Sequence, residues 1–278
     1  MSLVLLKNDG LLPLNTAAPL PFKTIAAVGI MNCMSAGYDS ATGNKTMTDA
    51  ALRTAFPDAV VTSGPGCRCP LGSGINNEGC ETCPGCLWAP TSGMALCSNY
   101  NASNVTAAVA GADLTVLHIG FGGRPGEQTD LTCDRNPTCN LSMYHNQSRM
   151  LEMVLTHIDN TPGSKLIIVL YTTLPMNITA LVPDTRVSAI IQAYYPQHWG
   201  GQAVVDVLTG KVNPAGRLVN TWPKEYDESL HGEIGNYSMI GTNKTYRYGF
   251  PDEATLFPFG MRMRDIRVDF QAKHDLNR

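Results

Sequence analysis

Charge is scarce in this sequence: Asp, Glu, Lys and Arg make up 15% of its 278 residues, and the formal balance is -3. No internal Lys/Arg run stands out. A protein that neutralises nucleic-acid phosphates needs a basic face, so nucleic acid is not an expected partner. Also missing is any apolar run near the roughly 20 residues that cross a bilayer as a helix, so no membrane span is expected. There is no Gly-X-Ser-X-Gly elbow of the kind that carries a hydrolase serine. Gly120-Phe121-Gly122-Gly123 is glycine-rich but does not complete a dinucleotide fingerprint, so no cofactor is expected. Internal repeats and long low-complexity tracts are absent. The start, Met1 to Leu6 followed by Lys7-Asn8-Asp9, lacks the pattern of a secretory leader.

What is present points to a globular secretory protein. A 44% hydrophobic content over this length suits one principal domain. Eight Asn-X-Ser/Thr sequons occur, at Asn44, Asn101, Asn104, Asn140, Asn146, Asn177, Asn236 and Asn243, together with nine cysteines. That combination predicts a secreted or lumenal, N-glycosylated chain, and the missing leader predicts an upstream segment. Six of the cysteines (Cys67, Cys69, Cys80, Cys83, Cys86 and Cys97) crowd into an insertion from Ser63 to Cys97. The Cys80-X-X-Cys83-X-X-Cys86 spacing can be read as metal-binding, but an oxidising compartment favours a disulfide-stapled loop, and no metal is expected. Cys133 and Cys139 bracket a short loop and could pair with each other. An odd count leaves at least one thiol over.

Hydrophobic periodicity alternates between strand and helix. Strands are expected at Ile25–Gly29, Ala59–Thr62, Leu114–Gly120 and Leu166–Tyr171, and helices at Asp49–Phe56, Asn104–Ala110 and from Met150 to Ile158. The stretch from Ala189 onward adds a strand ending at Pro196, then a helix through Ala203, Val204, Val207 and Leu208 that closes at Gly210. An extended segment follows from Arg217 to Trp222. Strands this continuously apolar suit a sheet covered on both faces. The expected fold class is α/β, a mostly parallel five- to six-stranded sheet sandwiched between helices, with the cysteine-rich insertion attached.

Two long motifs carry a family resemblance. One is Tyr194-Tyr195-Pro196, Trp199-Gly200-Gly201-Gln202-Ala203, Asp206-Val207-Leu208, Gly210, Asn213-Pro214-Ala215-Gly216-Arg217-Leu218 and Thr221-Trp222-Pro223. The other is Ser2-Leu3-Val4-Leu5-Leu6-Lys7-Asn8-Asp9-Gly10-Leu11-Leu12-Pro13-Leu14. Both resemble the C-terminal α/β-sandwich domain of glycoside hydrolase family 3, most closely its β-xylosidase-like branch. The resemblance covers 1–260, including the Leu256-Phe257-Pro258-Phe259-Gly260 run. From Met261 the sequence departs from the family, and 261–278 is expected to be an atypical polar tail.

Chemistry is expected just beyond Leu114–Gly120, because catalytic groups of open α/β sheets gather at the carboxyl ends of strands. The loop there holds Glu127, Asp130 and the Asp134-Arg135 pair. Residue types alone fit a solvated loop with a structural Asp-Arg pair. The resemblance implies instead that this loop supplies the general acid/base of a retaining exo-β-glycosidase, with Glu127 first and Asp130 second. Family spacing places the acid nearer to Asp-Arg than Glu127 lies, so either carboxylate could hold the position. Arg135 would hold the loop or position charge. His198 and Trp199 follow a strand, where an aromatic could stack on sugar, although packing is the commoner role. His118 lies within an apolar strand and is expected to be a satisfied core histidine.

A retaining glycosidase also needs a nucleophilic carboxylate about 5–5.5 Å from its acid/base. The resemblance implies that this aspartate belongs to a preceding (β/α)8 barrel, and no barrel motif occurs in the chain. Alone, the chain is expected to hold half of a site. Its expected partners are the ends of oligosaccharides or polysaccharides and a barrel domain. A non-catalytic carbohydrate-binding remnant and a protein-interaction domain are the alternatives.

Overall fold

A computed structural model describes residues 3–30, 46–65, 67–68, 99–100, 102–120, 147–172, 175–194, 199–225, 245, 247 and 251–263. Six strands form the main sheet: β1 (Val4–Asn8), β2 (Thr24–Gly29), β3 (Val60–Pro65), β6 (Leu114–Gly120), β7 (Lys165–Tyr171) and β8 (Val187–Gln192). Their spatial order is β1-β8-β7-β6-β2-β3, and every pair is parallel except β1 with β8. Two short ribbons accompany the sheet. One pairs β4 (Cys67–Arg68) with β5 (Asn99–Tyr100), and the other pairs β9 (Trp222–Pro223) with β10 (Thr255–Phe257). Pairing of β4 with β5 brings the two ends of the cysteine-rich insertion together. Of the cysteines expected to staple it, Cys67 belongs to β4, while Cys69, Cys80, Cys83, Cys86 and Cys97 lie outside the described residues, as do Cys133 and Cys139.

The central strands are apolar at nearly every position because both faces of the sheet are covered. Leu114–Gly120 is buried throughout, and so are all but the first residue of Lys165–Tyr171. On one face α1 (Thr48–Ala55) and α4 (Gly200–Leu208) pack Ala51, Leu52, Ala203, Val204 and Leu208 against Ile25, Ala27, Val116 and Ile167. On the other, α2 (Ala102–Val109) and α3 (Gln147–Asn160) bring Val105, Ala108, Met150 and Val154 against Ala26, Val28, Leu117 and Ile168. Successive residues of a strand point to opposite faces, which is why Ala26 and Ala27 belong to different cores. Burying a side chain such as Leu117 or Ile168 stabilises by about 1.5–3 kcal/mol.

Lys7 is a buried charged residue that this packing has to accommodate in the edge strand β1. Its side chain runs to the amino edge of the sheet, where Nζ donates to the Asp184 carbonyl at 2.7 Å and pairs with Asp9 at 3.2 Å. Arg186 holds both Asp184 and Asp159 there, and its guanidinium keeps the Asp184 carboxyl below the usual carboxylate range. The charged cluster thus lies at the end of the sheet opposite the carboxyl edge.

Candidate functional site at the carboxyl edge of the sheet

The five parallel strands run β3-β2-β6-β7-β8 across the sheet. From β2 the chain crosses to β3 on one side through α1, whereas from β6 it crosses to β7 on the other side through α3. The connections therefore diverge between β2 and β6, which makes this the switch point where open α/β sheets place their ligand crevice, beyond the carboxyl ends of the strands. Gly120, the last residue of β6, stands at this point, and the expected catalytic loop leaves from it.

Gly120 has to be glycine. Its φ is +151°, and an added Cβ would lie 2.0 Å from the Tyr171 carbonyl oxygen. Its peptide is held by Gln147, the buried first residue of α3. Gln147 Oε1 accepts from Gly120 N at 2.7 Å, and Gln147 Nε2 donates to Gly120 O at 2.8 Å. The point where the chain leaves β6 is thus clamped to the point where it returns in α3. Sequence reasoning missed Gln147, and a single polar residue opening an amphipathic helix offers no signal that it will clamp a strand end.

Below the clamp is a buried polar trio. His118 is fully buried, stacks on Tyr171 with 5.5 Å between ring centroids, and makes two hydrogen bonds. Nδ1 lies 3.0 Å from the Val28 carbonyl oxygen, which can only accept, so Nδ1 carries the proton. Nε2, 3.0 Å from Thr48 Oγ1, then accepts from the threonine hydroxyl. Burial pushes the imidazole down to about 4, opposed by its hydrogen bond to Val28 and by the charge of Asp49. Burial likewise raises the Tyr171 hydroxyl, opposed by its hydrogen bond with Thr48. His118 is the satisfied core histidine that its place in the strand predicts. Its partners join β6, β7, the end of β2 and the start of α1 just below the switch point.

A second helix start meets the first. Gly201 N donates to Thr46 O at 3.0 Å, and a Cβ on Gly201 would sit 2.2 Å from the Met47 carbonyl carbon. Only glycine permits this approach between the starts of α4 and α1. Gly201, the second glycine of the pair in the long motif, thus has a packing cause. Trp199 precedes it with 66% of its surface exposed, so packing does not account for its ring. Tyr194, just past β8, adopts φ +55°, a left-handed conformation uncommon for a non-glycine residue, and its hydroxyl donates to Arg217 O at 3.4 Å.

Of the expected site residues, Trp199 lies within the described residues, while Glu127, Asp130, Arg135 and His198 lie outside them. The structure brings Trp199 to the start of α4 and fixes both anchors of residues 121–146. Among the described residues no cluster of three His, Cys, Asp or Glu side chains could hold a metal ion, and no helix is long and apolar enough to cross a membrane.

Comparison with known proteins agrees with this architecture. The protein named "Probable exo-1,4-beta-xylosidase" from Aspergillus terreus is 28% identical over 277 residues, covering 98% of this chain and 31% of its own length. "Beta-D-xylosidase 1" of Arabidopsis thaliana is 30% identical over 173 residues, 62% of this chain and 21% of its own. A solved β-glucosidase structure from Erythrobacter marinus superposes with a TM-score of 0.61 at 23% identity, covering 94% of this chain and 33% of that one, which speaks for the fold. The chain spans about a third or less of the length of these proteins. The profile of the glycosyl hydrolase family 3 C-terminal domain matches residues 3–264, almost the whole of the described sheet and both of its covering layers. This chain belongs to glycosyl hydrolase family 3 and carries that family's C-terminal domain.

Proposed function

We propose that the chain is the C-terminal half of a secreted, N-glycosylated exo-β-glycosidase, closest to β-xylosidases, that removes terminal sugars from oligosaccharides or polysaccharides. The observation that carries this reading is the Gln147 clamp: it anchors both ends of residues 121–146 at the switch point, where a catalytic loop of this fold belongs. From that loop Glu127, or Asp130 in its place, serves as general acid/base. As acid it protonates the departing glycosidic oxygen, and as base it then takes a proton from the water that hydrolyses the glycosyl intermediate. Arg135 holds the loop. The nucleophilic carboxylate comes from a (β/α)8 barrel, in keeping with relatives whose length this chain covers by about a third. The Ser63–Cys97 insertion is stapled by disulfides, as suits a secreted chain.

The exposed ring of Trp199 favours a second reading, in which the domain binds sugar without cleaving it. His198 would then contribute beside it.

Hydrolysis of 4-nitrophenyl β-xyloside and β-glucoside decides between them. The chain is assayed alone and joined to a family 3 barrel that retains its nucleophile, each also as Glu127→Gln and Asp130→Asn. The chain alone should show no turnover. The joined protein should turn over, xyloside faster, and lose about 10²–10⁴-fold in one of the two variants. Turnover by the isolated chain would refute the half-site reading, and an inactive joined protein that still binds sugar would favour the binding domain.

A further inference from the structure

We infer that Asn177 is an N-glycan attachment site, which deepens the lumenal reading above and rests on it. Asn177-Ile178-Thr179 is a sequon in the connection between β7 and β8. Its orientation follows from the neighbours: Met176, Ile178 and Leu181 are buried in the core beneath α3, whereas Asn177 and Thr179 alternate with them and are only partly covered. Asn177 Oδ1 accepts from Thr179 N at 3.2 Å, and Ile178 O then accepts from Leu181 N at 2.8 Å, so the asparagine opens a tight turn. The amide is thereby divided into two parts with different tasks. Its oxygen is engaged by the turn, while Nδ2 makes no hydrogen bond among the described residues.

That division suits glycosylation, because the sugar is added to the idle atom. Nδ2 attacks C1 of an oligosaccharide activated as a lipid-linked diphosphate. The C1–N bond forms, the C1–O bond breaks, one amide proton is lost, and the diphosphate leaves with the bonding electrons. Oδ1 keeps its lone pairs and continues to accept from Thr179 N. The folded turn therefore tolerates the modified residue unchanged. Thr179, the third residue of the sequon, is held by Oγ1 donating to Lys224 O at 2.6 Å, which docks the turn beside β9.

The test is site mapping on the full chain secreted from a eukaryotic host, with enzymatic deglycosylation in 18O-water to convert each glycan-bearing asparagine into labelled aspartate. The peptide containing residue 177 should carry the label. Asn177→Asp should remove the mass of one glycan yet melt at the unmodified temperature, since aspartate opens such a turn about as well as asparagine. A residue 177 peptide without label, beside labelled peptides from other sequons, would overturn the assignment and leave the lumenal reading intact. No label anywhere would overturn both. Because the readout is a mass, a label at 177 in a chain whose barrel-joined form does not hydrolyse would sink the enzyme reading alone.

Discussion

His118 shows what a single buried side chain imposes on this domain. An imidazole in water titrates near 6.5, whereas burial holds this one at about 4 in the folded state. Between those values the unfolded chain binds more protons than the folded chain, so stability rises with pH across that window. The contribution is fully present above about pH 6.5 and is lost as the pH falls toward 4. A displacement of this size corresponds to roughly 3 kcal/mol. Urea unfolding of the chain between pH 7 and 4 should therefore show a steep loss that His118→Gln flattens. Matching slopes for the two proteins would show that the histidine is not held neutral by its surroundings.

At the scale of elements, the site is assembled by contacts between the ends of strands and helices. The starts of α1 and α4 meet at Gly201, where the atoms facing a new Cβ belong to the backbone of Thr46, Met47 and Thr48 and cannot rotate away. Gly201→Ala should push the two helices apart. Overpacking of this kind costs about 1–3 kcal/mol, and the strain should reach Thr48 and its hydrogen bond to His118. Urea unfolding should show a lowered midpoint for Gly201→Ala, with the His118 ring resonances shifted in NMR spectra. An unchanged midpoint and spectrum would mean that α4 slides without cost.

For the whole molecule, the governing feature is the edge of the sheet at β1. An edge strand leaves backbone groups unpaired and open to other chains. Here distant segments cover it: Gly216 N donates to Leu3 O at 3.1 Å, and Met263 N donates to Leu5 O at 3.1 Å. Leu218 N in turn donates to Met261 O at 3.0 Å, which ties the two covering segments together. Met261 and Met263, the start of the segment expected to be an atypical tail, pack against the two cores. A chain ending after Gly260 should be less stable by about 2 kcal/mol than one ending after Met263, since each lost backbone bond contributes about 1 kcal/mol. It should also self-associate, as read by light scattering. Equal stability of the two would show that the covering segment contributes little.

The sequence by itself determined the layered architecture, because continuous apolar runs and helical spacing report burial directly. Leu114–Gly120 appears in the structure with the bounds its residues predict, and the helices around Asp49, Asn104, Met150 and Ala203 fall where their periodicity places them. It determined the family too, through the spaced motifs around Tyr194–Pro223 and Ser2–Leu14. Only the tertiary structure decided that β1 runs antiparallel at the edge, since the five residues Val4–Asn8 carry no signal of direction. It alone decided that Gln147 clamps Gly120, that Gly201 meets Met47, and that His118 joins Thr48 and Tyr171. Those partners lie 27, 154, 70 and 53 positions apart along the chain. Local pattern records whether a residue is buried, but which distant atom it touches depends on how the sheet orders its strands.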